Sequence, residues 1–256
     1  MESEKFSIIN SNEEAIVGEV FRPKKRGRLP CVIFSNGLLE DRKAPYIKNF
    51  TQKLVEQGYI VVAYDSTRSL GESQGTVEYI TISQRIEDLM SVIEHVKRRS
   101  FIDDSRVTVF GHCYGAMTAL AMEGFEHCLA GIILVSTPAH IENTLVTRKT
   151  PHEMMKVRLK RYFHTRHEEQ ELRINYSFYE DGKKLDMNRA ARNLKTPVLF
   201  IHGTEDESIP MSDSEGLFTR AIGPKRFEKI KMGHEIKGPA MTKIYALLEE
   251  FLAEQL

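Results

Sequence analysis

Residues 107–120 read VTVFGHCYGAMTAL. The run Arg106–Phe110 is short, apolar and rich in β-branched residues, the composition of a buried strand. Residues 116–123, AMTALAME, suit a helix. Between them lies only Gly111-His112-Cys113-Tyr114-Gly115. A strand-to-helix turn this tight needs small residues at both flanks, because a side chain there would strike the neighbouring backbone. The turn lifts the central side chain, Cys113, clear of the sheet. It also leaves the N–H of Tyr114 at a helix N-terminus, where negative charge is stabilised. Outside this context the same five residues would read as a packed core thiol between two glycines.

Working outward, strands and helices alternate. FSIIN (6–10) and AIVGEVF (15–21) flank SNEE and suit an opening hairpin. CVIFSN (31–36), YIVVAYD (59–65), GIILVS (131–136), PVLFIHG (197–203) and RFEKIKM (226–232) read as further strands. Tyr46, Ile47, Phe50 and Leu54 share one helical face that Gly58 can end. Ile82, Ile86, Leu89, Met90, Ile93 and Val96 keep helical spacing from about 81 to 99. Ile244, Leu247, Leu248, Phe251 and Leu252 mark a closing helix. The pattern predicts an α/β fold, a mostly parallel central sheet flanked by helices. Residues 137–194 interrupt the alternation. Within them Met155, Leu159, Tyr162 and Phe163 fall at i, i+4, i+7 and i+8, which predicts a helical cap inserted between the sixth and seventh strands. The alternative is a peripheral excursion that shields the sheet edge.

Bulk properties narrow the class. The 256 residues suit one α/β domain, residues 1–256, with the 137–194 insertion inside it. Lysine plus arginine equal aspartate plus glutamate at 36 each, so no global field argues for nucleic acid. The acidic start MESEKFSIIN is unlike a signal peptide, and no apolar run is long enough to span a bilayer, so no membrane is expected. Cysteines at 31, 113 and 128 lack the paired spacing of a disulfide framework or zinc site, which reads as a reduced, cytoplasmic chain. No metal cluster or nucleotide fingerprint is present, so no cofactor is expected. Gly71 and Gly75 are too few glycines, without a lysine, for a phosphate loop.

A thiol raised on such a turn needs a neighbouring base, and the base needs an acidic partner. Of nine histidines, His234 alone follows a predicted strand directly and also lies downstream of an acid at a strand end. His112 neighbours Cys113 in sequence, but adjacent side chains diverge, so it is expected to pack beside the turn. His202 is expected within its strand end. Glu205, Asp206 and Glu207 are not separable by their chemistry alone. Asp65, Arg68 and Ser73 are expected to hold a loop by local hydrogen bonds.

With these motifs the chain resembles the α/β-hydrolase superfamily over nearly its whole length. VTVFGHCYGAMTAL resembles the nucleophile elbow, VIFSNGLLED the oxyanion loop after the third strand with Asn36 in place of histidine, and YDSTRSLGESQG an Asp-x-Arg-Gly-x-Gly-x-Ser segment with Ser69 at a glycine position. IHGTEDESIP resembles the acid-bearing strand end and IKMGHEI the histidine loop. The resemblance implies Cys113 as nucleophile, Asp206 as acid and His234 as base, in the family's order. It implies backbone N–H groups of Leu38 and Tyr114 as the oxyanion hole. A Cys-His-Asp set is similar to that of dienelactone hydrolase; a cysteine here reads either as the natural nucleophile or as a replaced serine. The expected activity is hydrolysis of a small-molecule carboxylic ester or thioester, with Met155, Leu159, Tyr162 and Phe163 lining the substrate. Acyl transfer on the same residues and a non-catalytic binding scaffold are the alternatives. Oligomeric state stays open, a homodimer included.

Overall fold

The computed structural model describes residues 1–256 except 123, 145, 168 and 256, and of residue 126 the backbone alone. Eight strands form one sheet in the order β1-β2-β4-β3-β5-β6-β9-β10. They are β1 (Glu2–Ile9), β2 (Ala15–Arg22), β3 (Leu29–Ser35), β4 (Ile60–Asp65), β5 (Ile102–His112), β6 (Gly131–Val135), β9 (Val198–Gly203) and β10 (Lys225–Ile230). The opening hairpin pairs β1 with β2 antiparallel, and β2 runs antiparallel to β4. All other neighbours pair parallel. This is the mostly parallel sheet expected from the alternation.

The central strands are apolar on both faces because both faces are covered. Cys31 and Ile33 of β3 enter one core with α2 (Ile82–Lys97) and α3 (Tyr114–Leu120). Val32 and Phe34 enter the other core with α1 (Pro45–Glu56) and α8 (Gly238–Glu254). A further helix, α7 (Met211–Arg220), packs Leu217 into the first core. Nothing in the sequence reading anticipated it. Its apolar residues beyond Met211 are few, and Gly216 sits in its interior, so no stripe stands out.

Strand order reverses at β3, which has β4 on one side and β5 on the other. At such a reversal the loops leaving neighbouring strand ends diverge and open a crevice at the carboxyl edge. The loop after β3 and the turn after β5 both issue there.

Residues between β6 and β9, the sixth and seventh strands of the sheet, carry α4 (Pro151–Lys160), β7 (Tyr162–His167), β8 (Gln170–Asn175), α5 (Ser177–Gly182) and α6 (Met187–Asn193). The expectation of a helical insertion is corrected here by the two strands that accompany its helices. Arg161 adopts a left-handed conformation at φ 64° and ends α4. Tyr162 and Phe163 therefore leave the stripe begun by Met155 and Leu159 and open an antiparallel ribbon in which Phe163 pairs with Ile174. The aromatic and β-branched residues of YFHTRH favour a pleated surface. The period is two: Phe163, Leu172 and Ile174 are buried while Gln170, Glu171 and Arg173 are exposed.

Candidate active site

Cys113 stands between β5 and α3 with φ 53° and ψ −118°, a backbone region that L-residues rarely occupy. The surrounding chain holds it there. A Cβ on Gly111 would lie 2.6 Å from Cα of Ala116, and one on Gly115 would lie 2.0 Å from the carbonyl oxygen of Ser35. Both glycines are thus demanded by close backbone approach. Cys113 N–H donates to Val135 O at 2.9 Å, tying the turn to β6.

The acid and the histidine come together because two neighbouring strands end side by side. β9 delivers Asp206 and β10 delivers His234, and the turn after β10 folds onto Gly203, where a Cβ would meet Met232 O at 2.5 Å. His234 Nδ1 donates to Asp206 at 2.9 Å and 3.1 Å. Asp206 Oδ1 also accepts the N–H groups of Ser208 and Ile209 at 2.9 and 3.0 Å. Burial raises the pKa of this carboxyl, but the hydrogen bond and charge of His234 outweigh it and hold the group at about 2. Glu205 points outward toward Lys231, so geometry separates what chemistry alone could not.

With Nδ1 occupied, Nε2 of His234 is left for Cys113, which is near enough to shift the histidine's pKa. Burial lowers the pKa of His234, while neighbouring Cys113 and the bond to Asp206 carry it up to about 9. The other thiols differ. Cys31 is buried in β3, and burial drives its pKa far up. Cys128 is partly exposed at a short 3-10 turn.

His202 is buried behind the acid, its Nε2 donating to Ile209 O at 3.1 Å and its Nδ1 2.7 Å from Ser214 Oγ. Asp65 accepts the N–H groups of Arg42 and Glu72 and pairs with the Arg42 guanidinium; Ser73 Oγ donates to Asp65 O, and Arg68 pairs with Glu14. The bonds of Glu72 and Ser73 to Asp65 are the local ones expected, whereas Arg42 and Glu14 tie the segment to other parts of the chain. Tyr114 opens α3, so its N–H lies in a first turn that has no intrahelical acceptor. Leu38 is buried in the loop after β3. Phe163 lies in the core, whereas Met155 and Leu159 are 57% and 75% exposed. Those four side chains therefore do not share one wall.

Sequence reasoning missed a second polar chain beside Cys113. His112 Nδ1 lies 3.3 Å from Glu40 Oε2 and its Nε2 3.0 Å from His234 O. Glu40 lies within the VIFSNGLLED segment but was given no role there, and only the loop fold brings it back to the elbow.

A family model described as the prolyl oligopeptidase family matches residues 45–232. The chain belongs to the prolyl oligopeptidase family. This family member is 27% identical over 185 residues to the uncharacterized protein YfhR of Escherichia coli O157:H7, covering 72% of the chain and 55% of the relative. It is also 27% identical over 116 residues to the polyketide transferase af380 of Aspergillus fumigatus, covering 45% of the chain and 39% of the relative. The chain spans about half the length of the curated relatives it matches. Among solved structures, Est1E from Butyrivibrio proteoclasticus with ferulic acid bound superposes with a TM-score of 0.84 at 18% identity, over 98% of both chains. The α/β-hydrolase GrgF from Penicillium superposes with a TM-score of 0.83 at 18% identity, over 100% of this chain and 99% of the other. The prolyl oligopeptidase family member thus has an α/β-hydrolase fold.

Proposed function

We propose that this chain hydrolyses carboxylic ester or thioester bonds through a covalent acyl-Cys113 intermediate. The observation that carries this reading is the connected set Cys113–His234–Asp206 on a strained elbow. Asp206 keeps the Nδ1 proton of His234 in place, so Nε2 takes the thiol proton. The sulfur then bonds to the acyl carbon, and the carbonyl oxygen becomes an oxyanion that we assign to the N–H groups of Leu38 and Tyr114. Collapse breaks the bond to the leaving group, which receives the proton from Nε2. Water, giving its proton to the same nitrogen, next attacks the thioester; the acid departs and Cys113 is reprotonated. The 137–194 insertion is assigned the role of a cap over the acyl group. An aromatic acyl group is a reasonable first choice because Est1E was solved with ferulic acid.

A second reading, transfer of the acyl group to an alcohol or amine instead of water, is favoured by the relative described as a polyketide transferase. Intact-mass measurement during reaction with short, long and aromatic activated esters and thioesters tests both. The expected result is an acyl-sized mass increase that is absent in Cys113→Ala. Fast release supports hydrolysis, and an adduct that persists until an alcohol or amine is added supports transfer. No adduct and no product with any substrate would overturn acyl chemistry in favour of a binding scaffold.

A further inference from the structure

The peptide joining Asn36 to Gly37 is held at both ends. Its carbonyl accepts from Arg85 Nη2 at 2.5 Å, and its N–H donates to Glu40 Oε2 at 2.7 Å. The next N–H along the chain is that of Leu38. Arg85 comes from α2, is fully buried, and pairs with no carboxylate among the described residues. Its Nε and Nη1 also meet no acceptor there. A buried guanidinium without a counter-charge costs several kcal/mol, so apolar packing alone does not account for it. Glu40 reaches further: Oε2 also accepts from Tyr46 Oη at 3.1 Å, and its main-chain carbonyl accepts from Asn36 Nδ2 at 2.9 Å. A Cβ on Gly37 would sit 2.9 Å from that same carboxylate oxygen.

His112 extends the chain to a second loop. One ring nitrogen faces a carboxylate and the other a carbonyl, both acceptors, an arrangement that favours a proton on each nitrogen. Facing it are Glu40, the ring of His234 at 5.1 Å, the edge of Tyr46 at 5.7 Å and the charge of Asp206. Burial works against this cation, and the charge of Glu40 overcomes it.

We infer that Arg85, Glu40 and His112 are positioning residues that orient the Asn36–Gly37 peptide, and hence the Leu38 N–H, toward the developing oxyanion while tying that loop to the histidine loop. The inference rests on the acyl-transfer reading. An angular error at an oxyanion donor costs transition-state stabilisation but not substrate binding.

The test compares two reactions of Cys113 in the full chain. Acylation by an activated aryl ester uses the oxyanion hole; alkylation by iodoacetamide does not. Glu40→Gln and Arg85→Met should each lower the acylation rate constant about 10- to 100-fold with KM within about twofold of the parent, and Arg85→Met should leave the rate and pH profile of alkylation within about twofold as well. Arg85→Lys, which keeps the charge, should recover most of the loss. Circular dichroism checks folding, and if Glu40→Gln does not fold, the Arg85 pair carries the test. Parent-like acylation in the variants overturns the positioning role alone. Equal losses in acylation and alkylation also overturn it, because they mark a general structural defect. A parent protein that alkylates but never acylates overturns the acyl-transfer reading, and this inference with it.

Discussion

Replacing Asp206 by Asn probes the histidine more sharply than deleting the nucleophile. The amide oxygen can keep the Ser208 and Ile209 N–H bonds now made to Oδ1, so the loop retains its shape. The NH2 group must then face His234 Nδ1, where the carboxylate stood at 2.9 Å. That nitrogen is forced to accept, which moves the remaining proton to Nε2 and points a donor at Cys113. Asp206 is held at about 2 against 3.8 for a free carboxyl. At 1.36 kcal/mol per pH unit this is about 2.5 kcal/mol of preference for the ionised form, or about 60-fold. Burial opposes that preference and the Ile209 N–H supports it, so the net figure sets the scale of the attraction to His234. By reciprocity His234 should lose a similar share of its affinity for a proton. Acylation by an aryl ester, followed by stopped flow at pH 7, should therefore fall by about 10² to 10⁴, the upper end reflecting the wrong tautomer. Histidine-selective 15N NMR should show the titration of His234 moving down from about 9. An unmoved titration together with acylation within threefold of the parent would refute the reasoning.

Three further outcomes follow from the same geometry. The raised pKa of His234 favours the folded state below about 6.5, and that contribution is lost as pH rises through about 9. Turnover of alkyl esters, whose leaving group needs the proton, should fall along the same limb, while aryl esters keep their rate; parallel pH profiles check this. Gly115→Ala would place a methyl group 2.0 Å from Ser35 O and 2.5 Å from Asn36 O, so α3 must shift. The cost should be about 3 kcal/mol, a fall in thermal midpoint of about 6–12 °C, with acylation reduced as well. Asp213 of α7 accepts Ala139 N at 2.8 Å, His140 N at 3.3 Å and Asn143 Nδ2 at 2.9 Å, anchoring the start of the insertion. Asp213→Ala leaves these donors unpaired at about 1–3 kcal/mol, which should appear as faster limited proteolysis near 139–150.

The centre of the sheet was legible because its strands are buried on both faces and read as unbroken apolar runs, and the elbow because steric demand leaves glycine no substitute at positions 111 and 115. Asp206 and His234 were readable through order and position, although only the fold distinguishes Asp206 from its acidic neighbours. The ribbon β7–β8 was hidden because Phe163 sits at a spacing that serves a helix as well as a strand, and only the left-handed Arg161 decides between them. Glu40 and Arg85 were hidden for a different reason. One of two adjacent acids in a loop and an arginine within an amphipathic helix look like surface residues until tertiary packing brings them beside the elbow. His112 was expected to pack beside the elbow, and it does; its two acceptors could not be inferred from sequence neighbours.

The two outermost strands have a consequence for how copies of this molecule meet. The sheet is open at β1 and at β10, whose sequences are ESEKFSII and KRFEKI. Lateral growth, one molecule continuing another's hydrogen-bond ladder, would have to bring exposed Glu2, Glu4 and Lys5, or Lys225 and Lys229, against a neighbour and strip them of water. Charged rims of this kind let a strongly apolar sheet end in solvent without polymerising.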